Sequence, residues 1–403
     1  MKCKLSDICD YVKSKTTVDS LNKNNYISTE NMLPNRGGIV EASALPAIGY
    51  TQKYLSNDVL VSNIRPYFKK IWFATKEGGC SNDVLVFRAK KGINPNYLYY
   101  VLSDDTFFNY STATSKGTKM PRGDKTAIMS YEVEVKNYEE QLKIASVLEV
   151  LDKKIQLNNA INNNLQQQAQ VLFKSFFVDY SKNSNEETYP TYLGEVPKSF
   201  DIKKMGDLPL LITDYVANGS FATLKDNVSL SPTPDYAYFI RNTDLKSGDF
   251  GVFVNKHFYD FLAKSALFGN EIIISNVGDV GSVFLCPILD KPMTLGNNVI
   301  MVRPKDETLN YYLYMWFKWF SGQGLIQGIK GGSAQPKFNK TDFRNLPTLV
   351  PPKGLLNDFH QIVSPMFKKI SDKNCENKHL AALRDSLLPK LMNGEIDVSK
   401  VEL

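Results

Sequence analysis

Two short stretches hold the residue types that could do chemistry in this chain: SKGTKMPRGDK at 115–125 and GIKGGSAQPKFNK at 328–340. Each mixes cations, small polar side chains and glycine. Lysine and arginine neutralise phosphates, and amide or hydroxyl side chains reach the hydrogen-bonding edges of bases, so the chemistry on offer is recognition of a nucleic acid. The candidates are Lys116, Thr118, Lys119, Arg122 and Lys125 in the first stretch, and Lys330, Ser333, Gln335, Lys337, Asn339 and Lys340 in the second. Asn63, Arg65 and Asn276 join them, because LVSNIR from Leu60 and IISNV from Ile273 each close an apolar run with Ser-Asn. Capping a turn is the commoner use of such an asparagine.

Bond-making chemistry finds no comparable set. An adenine methyltransferase grips its base with a polar residue, two prolines and an aromatic; NPNY at Asn94 is one proline short and reads better as the start of the aromatic helix YLYYVL. Asp235 followed by Asp244 and Lys246 has a spacing that could gather magnesium, but SPTPDYAYFIRNTDLKSGD reads more simply as turn, strand and turn. GQG at Gly322 follows an aromatic run rather than a strand, the wrong context for a nucleotide loop. Three histidines and five scattered cysteines without a CxxC offer no triad, zinc site or disulfide framework, and so no metal is expected.

The elements that must position the two stretches are duplicated. NDVLVFR from Asn82 recurs as NNVIMVR from Asn297, YLYYVL from Tyr97 as YLYMWF from Tyr312, and KGTKMPR from Lys116 as GGSAQPK from Gly331, all at an offset of 215. Upstream the offset is 213 for Leu60 against Ile273 and 200 for KLSDI at Lys4 against KMGDL at Lys204. Residues 9–54 and 209–266 show no match, so each copy has a shared frame and a private insert. Recurrence at one position in both copies is what separates the two loops from ordinary solvated surface.

Each copy ends in a long helix. Asn137 with Glu140 forms a capping box, and the pattern then runs without Gly or Pro to Tyr180. Leu148, Leu151, Ile155, Asn158, Asn162, Leu165, Leu172 and Phe176 follow a heptad, and so do Val363, Met366, Ile370, Asn377, Leu380 and Leu387. Polar residues fall in the middle of both seams, where they fix register and partner. Antiparallel pairing in which paired numbers sum to 535 sets Asn158 on Asn377, Asn162 on Lys373 and Leu148 on Leu387. A parallel register would match the polar layers equally well; an internal twofold relation between the copies favours antiparallel. Pro365 and Pro389 should kink or fray the second helix. A helix packed into its own domain core would also carry an apolar stripe, but about forty residues span roughly 60 Å, longer than most domain helices.

At 403 residues and 43% hydrophobic, the chain can bury two cores of about 200 residues. The N-terminus lacks the apolar run of a signal peptide, and YYLYMWFKWF from Tyr311 is too short for a bilayer, so a cytoplasmic protein away from membranes is expected. A net charge of +6 suits a polyanionic partner without requiring one. Two similar, non-identical heads held apart by a stiff spacer suit a long target with two different half-sites, as dimeric DNA readers do.

YEEQLKIASVLEVLDKKIQLNNAINNNLQQQAQVLFKSFFVDY after the first head, LGEVPKSFDIKKMGDL at Leu193, GGSAQPKFNKTDF at Gly331 and LRDSLLPKLMNGEI at Leu383 together resemble the specificity (HsdS) subunit of type I restriction-modification enzymes. The resemblance spans the chain and is loose in the inserts. It implies an α+β protein: two mixed α/β target recognition domains at 1–138 and 201–352, a spacer helix at 139–180, a linker at 181–200, and a second spacer helix with a tail at 353–403. The helices would form an antiparallel coiled coil about an internal pseudo-twofold. It further implies double-stranded DNA as partner, docking of two adenine-methylating subunits, and room for two ATP-driven restriction subunits. S-adenosylmethionine, ATP and magnesium would belong to those partners, leaving this chain without a cofactor or catalysis. Two rival readings remain: a coiled-coil adaptor that binds proteins and not DNA, whose interface would resist salt, and a nuclease acting through Asp235 and Asp244.

Overall fold

The computed structural model describes residues 2–332 and 335–401. The chain divides into two compact units, one formed by 1–158 with 375–403 and the other by 159–374.

In the first unit Val84–Ala89 lies between Cys9–Tyr11 and Val59–Ser62, with Ile71–Phe73 at the far edge, all antiparallel. Both faces of these apolar strands are buried. Val59, Val61, Leu85 and Phe87 point into a core shared with Tyr97, Leu98 and Val101 of the helix Pro95–Ser103, while Leu60, Val84 and Val86 point into another with Ile27, Tyr54 and Cys80. Period-two alternation thus feeds two layers from one sheet. The second layer is a sheet in the order Lys15–Thr17, Tyr50–Tyr54, Gly78–Cys80, Tyr26–Ile27, whose last pair is parallel.

The second unit repeats the frame. Val299–Pro304 lies between Leu210–Asp214 and Ile272–Ser275, with Val283–Leu285 outside. Ile272, Ile274, Ile300 and Val302 face one core, and Ile273, Val299 and Met301 face the other. Even the ion pair that pins the frame recurs: Arg88 on buried Asp58 at 2.7 Å, Arg303 on buried Glu271 at 2.7 Å.

The inserts are less private than their sequences. Each places one short strand parallel to the frame's Gly78–Cys80 or Met293–Leu295 (Tyr26–Ile27 in the first, Ala237–Ile240 in the second), with an antiparallel strand on the other side. The fourth strand then joins opposite edges, Lys15–Thr17 beside Tyr50–Tyr54 but Phe253–Val254 beside Ala237–Ile240.

The long helices run Tyr138–Phe177 and Lys353–Met392, 40 residues each and 215 apart. Asn137 accepts from the Glu140 N–H at 2.9 Å and the Glu140 carboxylate accepts from the Asn137 N–H at 3.2 Å, the expected capping box. Within each unit the two helices pair antiparallel. In the first, Asp152 meets Arg384 at 2.7 Å and Asn158 donates to Asn377 at 2.8 Å; in the second, Asn162 donates to Asn374 at 2.8 Å, and Phe173, Phe176 and Phe177 pack on Phe359. The seam positions Leu148, Leu151, Ile155, Asn158, Asn162, Leu165, Leu172, Phe176, Val363, Met366, Ile370, Asn377, Leu380 and Leu387 are all buried or half-buried.

Three expectations differ from the structure in detail. Asn162 donates to Asn374 at 2.8 Å, one residue along from the Lys373 expected opposite it. Leu148 shares its core with Leu388 and Leu391, and Leu387, its expected partner, packs against the same core. Pro365 and Pro389 interrupt nothing; both are exposed, so the carbonyl each leaves unpaired can turn to water. Finally, 181–200 is no bare linker but carries the hairpin Thr188–Thr191 with Gly194–Pro197, and Val196 and Phe200 enter the second core.

Candidate nucleic-acid interface

The two loops are held by the same set of backbone hydrogen bonds. Lys116 and Arg122 bridge at 2.8 and 2.9 Å, Gly331 and Lys337 at 2.9 Å in both directions. The bridged strand is tied to the end of the frame: Arg65 N–H donates to Pro121 and Gly123 N–H to Asn63, as Gly278 N–H donates to Pro336 and Phe338 N–H to Asn276. Gly117 and Gly332 occupy the same place in the two loops with φ of 95° and 88°, which only glycine adopts without strain. Asp124 then caps Lys125–Met129, and Asn339 caps Lys340–Arg344. Backbone geometry this well determined fixes where each side chain emerges.

The candidates separate by what they already touch. Lys116 binds Asp124 at 2.6 Å, Arg122 binds Asp83 at 3.2 Å and Lys340 binds Asp214 at 2.9 Å. Hydrogen bonding to Asp124 raises the Lys116 pKa, and Lys116 with the Ala127 and Thr126 N–H groups lowers that of Asp124, so this pair stays ionised at neutral pH. Lys119, Lys125, Lys330 and Lys337 are exposed and make no ion pair among the described residues. Thr118 and Gln335 are exposed as well. Ser333 lies outside the described residues.

Three polar candidates serve the scaffold. Asn63 is buried beneath Gly123, and half-buried Asn276 donates to the Phe338 carbonyl at 3.2 Å, so both brace the loop from below. Asn339 spends its side chain on the Asp342 N–H at 2.8 Å. Half-buried Arg65 brings Nη2 to 3.5 Å from the Lys119 carbonyl.

A cleft in the first head, missed in the sequence, supplies the cations that the loop keeps for itself. It has a volume of about 310 Å³ and is lined by Lys13, Lys15, Lys125, Tyr11, Tyr50 and Asn82 among others, with no Asp or Glu in its wall. Lys13 and Lys15 come from the insert and Lys125 from the repeated loop; the Tyr11 hydroxyl donates to the Lys125 carbonyl at 3.1 Å and joins the two. Three lysines around a cleft with no Asp or Glu among its described lining residues are the chemistry that a phosphate would pair with. The signal was KSK at 13–15, two cations where the chain enters the strand Lys15–Thr17.

Elsewhere, Asp244 is buried and consumed by Arg241 at 2.6 Å, while exposed Asp235 accepts from its neighbour's N–H. Asn94 caps the aromatic helix by accepting from the Tyr97 N–H at 3.0 Å. Gly322 sits where the next helix packs tightly on Trp316, which explains GQG as a packing motif. Among the described residues no helix is long and apolar enough to cross a membrane.

A sequence profile of the type I restriction modification DNA specificity domain matches residues 1–167 and again 200–378, one match for each copy of the repeat. The chain belongs to the type I restriction-modification DNA specificity family. Relatives of this specificity protein include the type I restriction enzyme MjaIX specificity subunit of Methanocaldococcus jannaschii, 27% identical over 317 residues covering 77% of this chain and 71% of that one. Another is the HindI specificity subunit of Haemophilus influenzae, 25% identical over 442 aligned positions covering 92% and 94%. The crystal structure of the S subunit of a type I restriction-modification system from M. genitalium superposes with a TM-score of 0.53 at 15% identity, covering 97% and 96%, a likeness of fold alone.

Proposed function

We propose that this specificity protein reads a bipartite, asymmetric duplex DNA target, one half-site per head, and performs no catalysis itself. The observation that carries this reading is the identically tied loop in both heads, presented by one frame but beside different inserts. A shared frame gives both heads one way of approaching DNA; different inserts give them different sequences to read. Exposed Lys119, Lys125, Lys330 and Lys337 and the lysine cleft supply phosphate contacts, while Thr118 and Gln335 are placed to meet base edges.

The paired helices are assigned the spacing of the half-sites and the docking of two adenine-methylating subunits. The assembly leaves room for two ATP-driven restriction subunits. S-adenosylmethionine, ATP and magnesium belong to those partners. Expressing the chain with its methylating partner and mapping methylated adenines tests the reading. Two short specific sequences separated by a fixed number of unread base pairs are expected; one continuous site, or none, refutes it.

A further inference from the structure

The two loops are tied to their frames by the same backbone hydrogen bonds, but exposed Met120 in one stands where the other has exposed Gln335. We propose that the first head separates a stacked base step within its half-site, using Tyr67, Phe68 and Met120 as an apolar wedge, and that the second head reads its half-site with the stack intact. This rests on the DNA-reading proposal above.

In the first head the chain leaving Asn63 runs Arg65-Pro66-Tyr67-Phe68-Lys69 as a single 3-10 turn, Pro66–Phe68, between two left-handed residues, Arg65 and Lys69, each with φ of 50°. Left-handed backbone crowds the β-carbon, so this turn is held against a steric cost. Its counterpart in the second head uses Gly278 and Gly281, with φ of 76° and 96°, where the conformation is free. The strained turn displays large apolar side chains: Tyr67 is 47% exposed and Phe68 39%, their rings 4.8 Å apart. Met120, 49% exposed, lies on the repeated loop between Lys119 and Pro121, whose carbonyls both accept from Arg65 of the turn, at the position that holds exposed Gln335 in the second head.

The turn is rigidly seated. Arg65 N–H donates to Pro121 at 2.8 Å, Asn35 N–H donates to Phe68 at 2.9 Å, and Lys69 binds Asp105 at 2.7 Å, an aspartate also held by Arg36. Burial works against ionisation of Asp105, but hydrogen bonds from Lys69 and Arg36 win and hold its carboxyl below the usual range, so the acid paired with this turn is neutralised by cations. Lys119 is exposed on the loop, and Lys70 lies 6.0 Å from the Phe68 ring. An apolar tip ringed by cations matches a duplex, where phosphates flank a stack of flat apolar faces, better than it matches a protein surface. Aromatic and methionine side chains inserted at a base step replace the lost stacking with their own. Pyrimidine–purine steps open most easily, so the half-site of the first head should contain one.

The test uses the full-length chain with duplexes it selects from a random pool, probed by permanganate, which oxidises unstacked thymines, and by 2-aminopurine placed along both half-sites. Enhanced reactivity in one half-site only is expected. Replacing Tyr67→Ala with Phe68→Ala should abolish it and weaken binding roughly tenfold, with the salt dependence unchanged because no charge is removed. Met120→Gln, which installs the second head's residue, should reduce it without risk to the turn. A fully stacked duplex under the unaltered chain, or reactivity that persists in both variants, overturns the wedge. If the unaltered chain selects no duplex, the DNA-reading proposal falls and takes the wedge with it.

Discussion

Neighbouring cations of the repeated loop differ in what already holds them. Lys116 and Arg122 sit in a loop that looks built for phosphate, yet Asp124 and Asp83 hold both. Lys13 and Lys15, two residues apart, share with Lys125 of the repeated loop a cleft with no Asp or Glu among the described residues of its wall. Lys13→Ala with Lys15→Ala should therefore weaken DNA binding about equally for all sequences and make the plot of log affinity against log salt shallower by roughly two units. Titrating a duplex at several salt concentrations checks this, and an unchanged slope would show that the cleft contacts no phosphate. The thiols give a second residue-scale check. Burial pushes Cys9 and Cys80 up to about 12, and Cys286 is also raised by burial, whereas Cys375 is exposed. Ellman's reagent at pH 8 should label Cys375 rapidly in the native protein and reach Cys9, Cys80 and Cys286 only on unfolding.

At the scale of elements, the helices hold one polar contact that packing makes indispensable and another that it does not. Asp152, 14% exposed, accepts from Arg384 at 2.7 Å and from the Tyr100 hydroxyl at 2.8 Å, so it ties both long helices to the aromatic helix of the first head. Arg384→Leu would strand a buried carboxylate and should cost about 3 kcal/mol, most of it regained when Asp152→Leu is added. Asn162→Leu should instead raise the melting temperature, because the partner it abandons, Asn374, is exposed and can turn to water. Thermal and urea unfolding of the three variants checks both signs. These elements also show what could be read beforehand. The repeat, the capping box and the seam are local patterns of type and spacing, and they stand in the structure where the sequence puts them. The insert strands escaped notice because Tyr26–Ile27 is two residues long and owes its place to a distant partner, Gly78–Cys80. The cleft escaped for the same reason: Lys15 and Lys125 meet only once both segments have folded onto the frame. Neutralisation of Lys116 by Asp124 was within reach of sequence reading, eight residues apart, but that of Arg122 by Asp83 was not.

At the scale of the molecule, a duplication of this kind makes spacing and reading separable. Each helix is 40 residues long and paired antiparallel within both units, so lengthening one alone would leave its insert without a partner, whereas a heptad added to each, next to the Asn158 and Asn377 layer, keeps every seam position in phase. Seven residues add about 10 Å of helix, which corresponds to about three base pairs of duplex. If the helices set the distance between half-sites, the double insertion should lengthen the unread spacer by about that amount and leave both half-site sequences as they were. Methylated-adenine mapping of the variant against the parent measures this directly. A spacer that does not change would remove the helices from the measuring role, and a changed half-site would mean that reading and spacing share residues after all. Among the described residues the repeated loops are tied by backbone hydrogen bonds internal to each frame rather than to the long helices, and this is why the half-sites should survive an insertion in those helices.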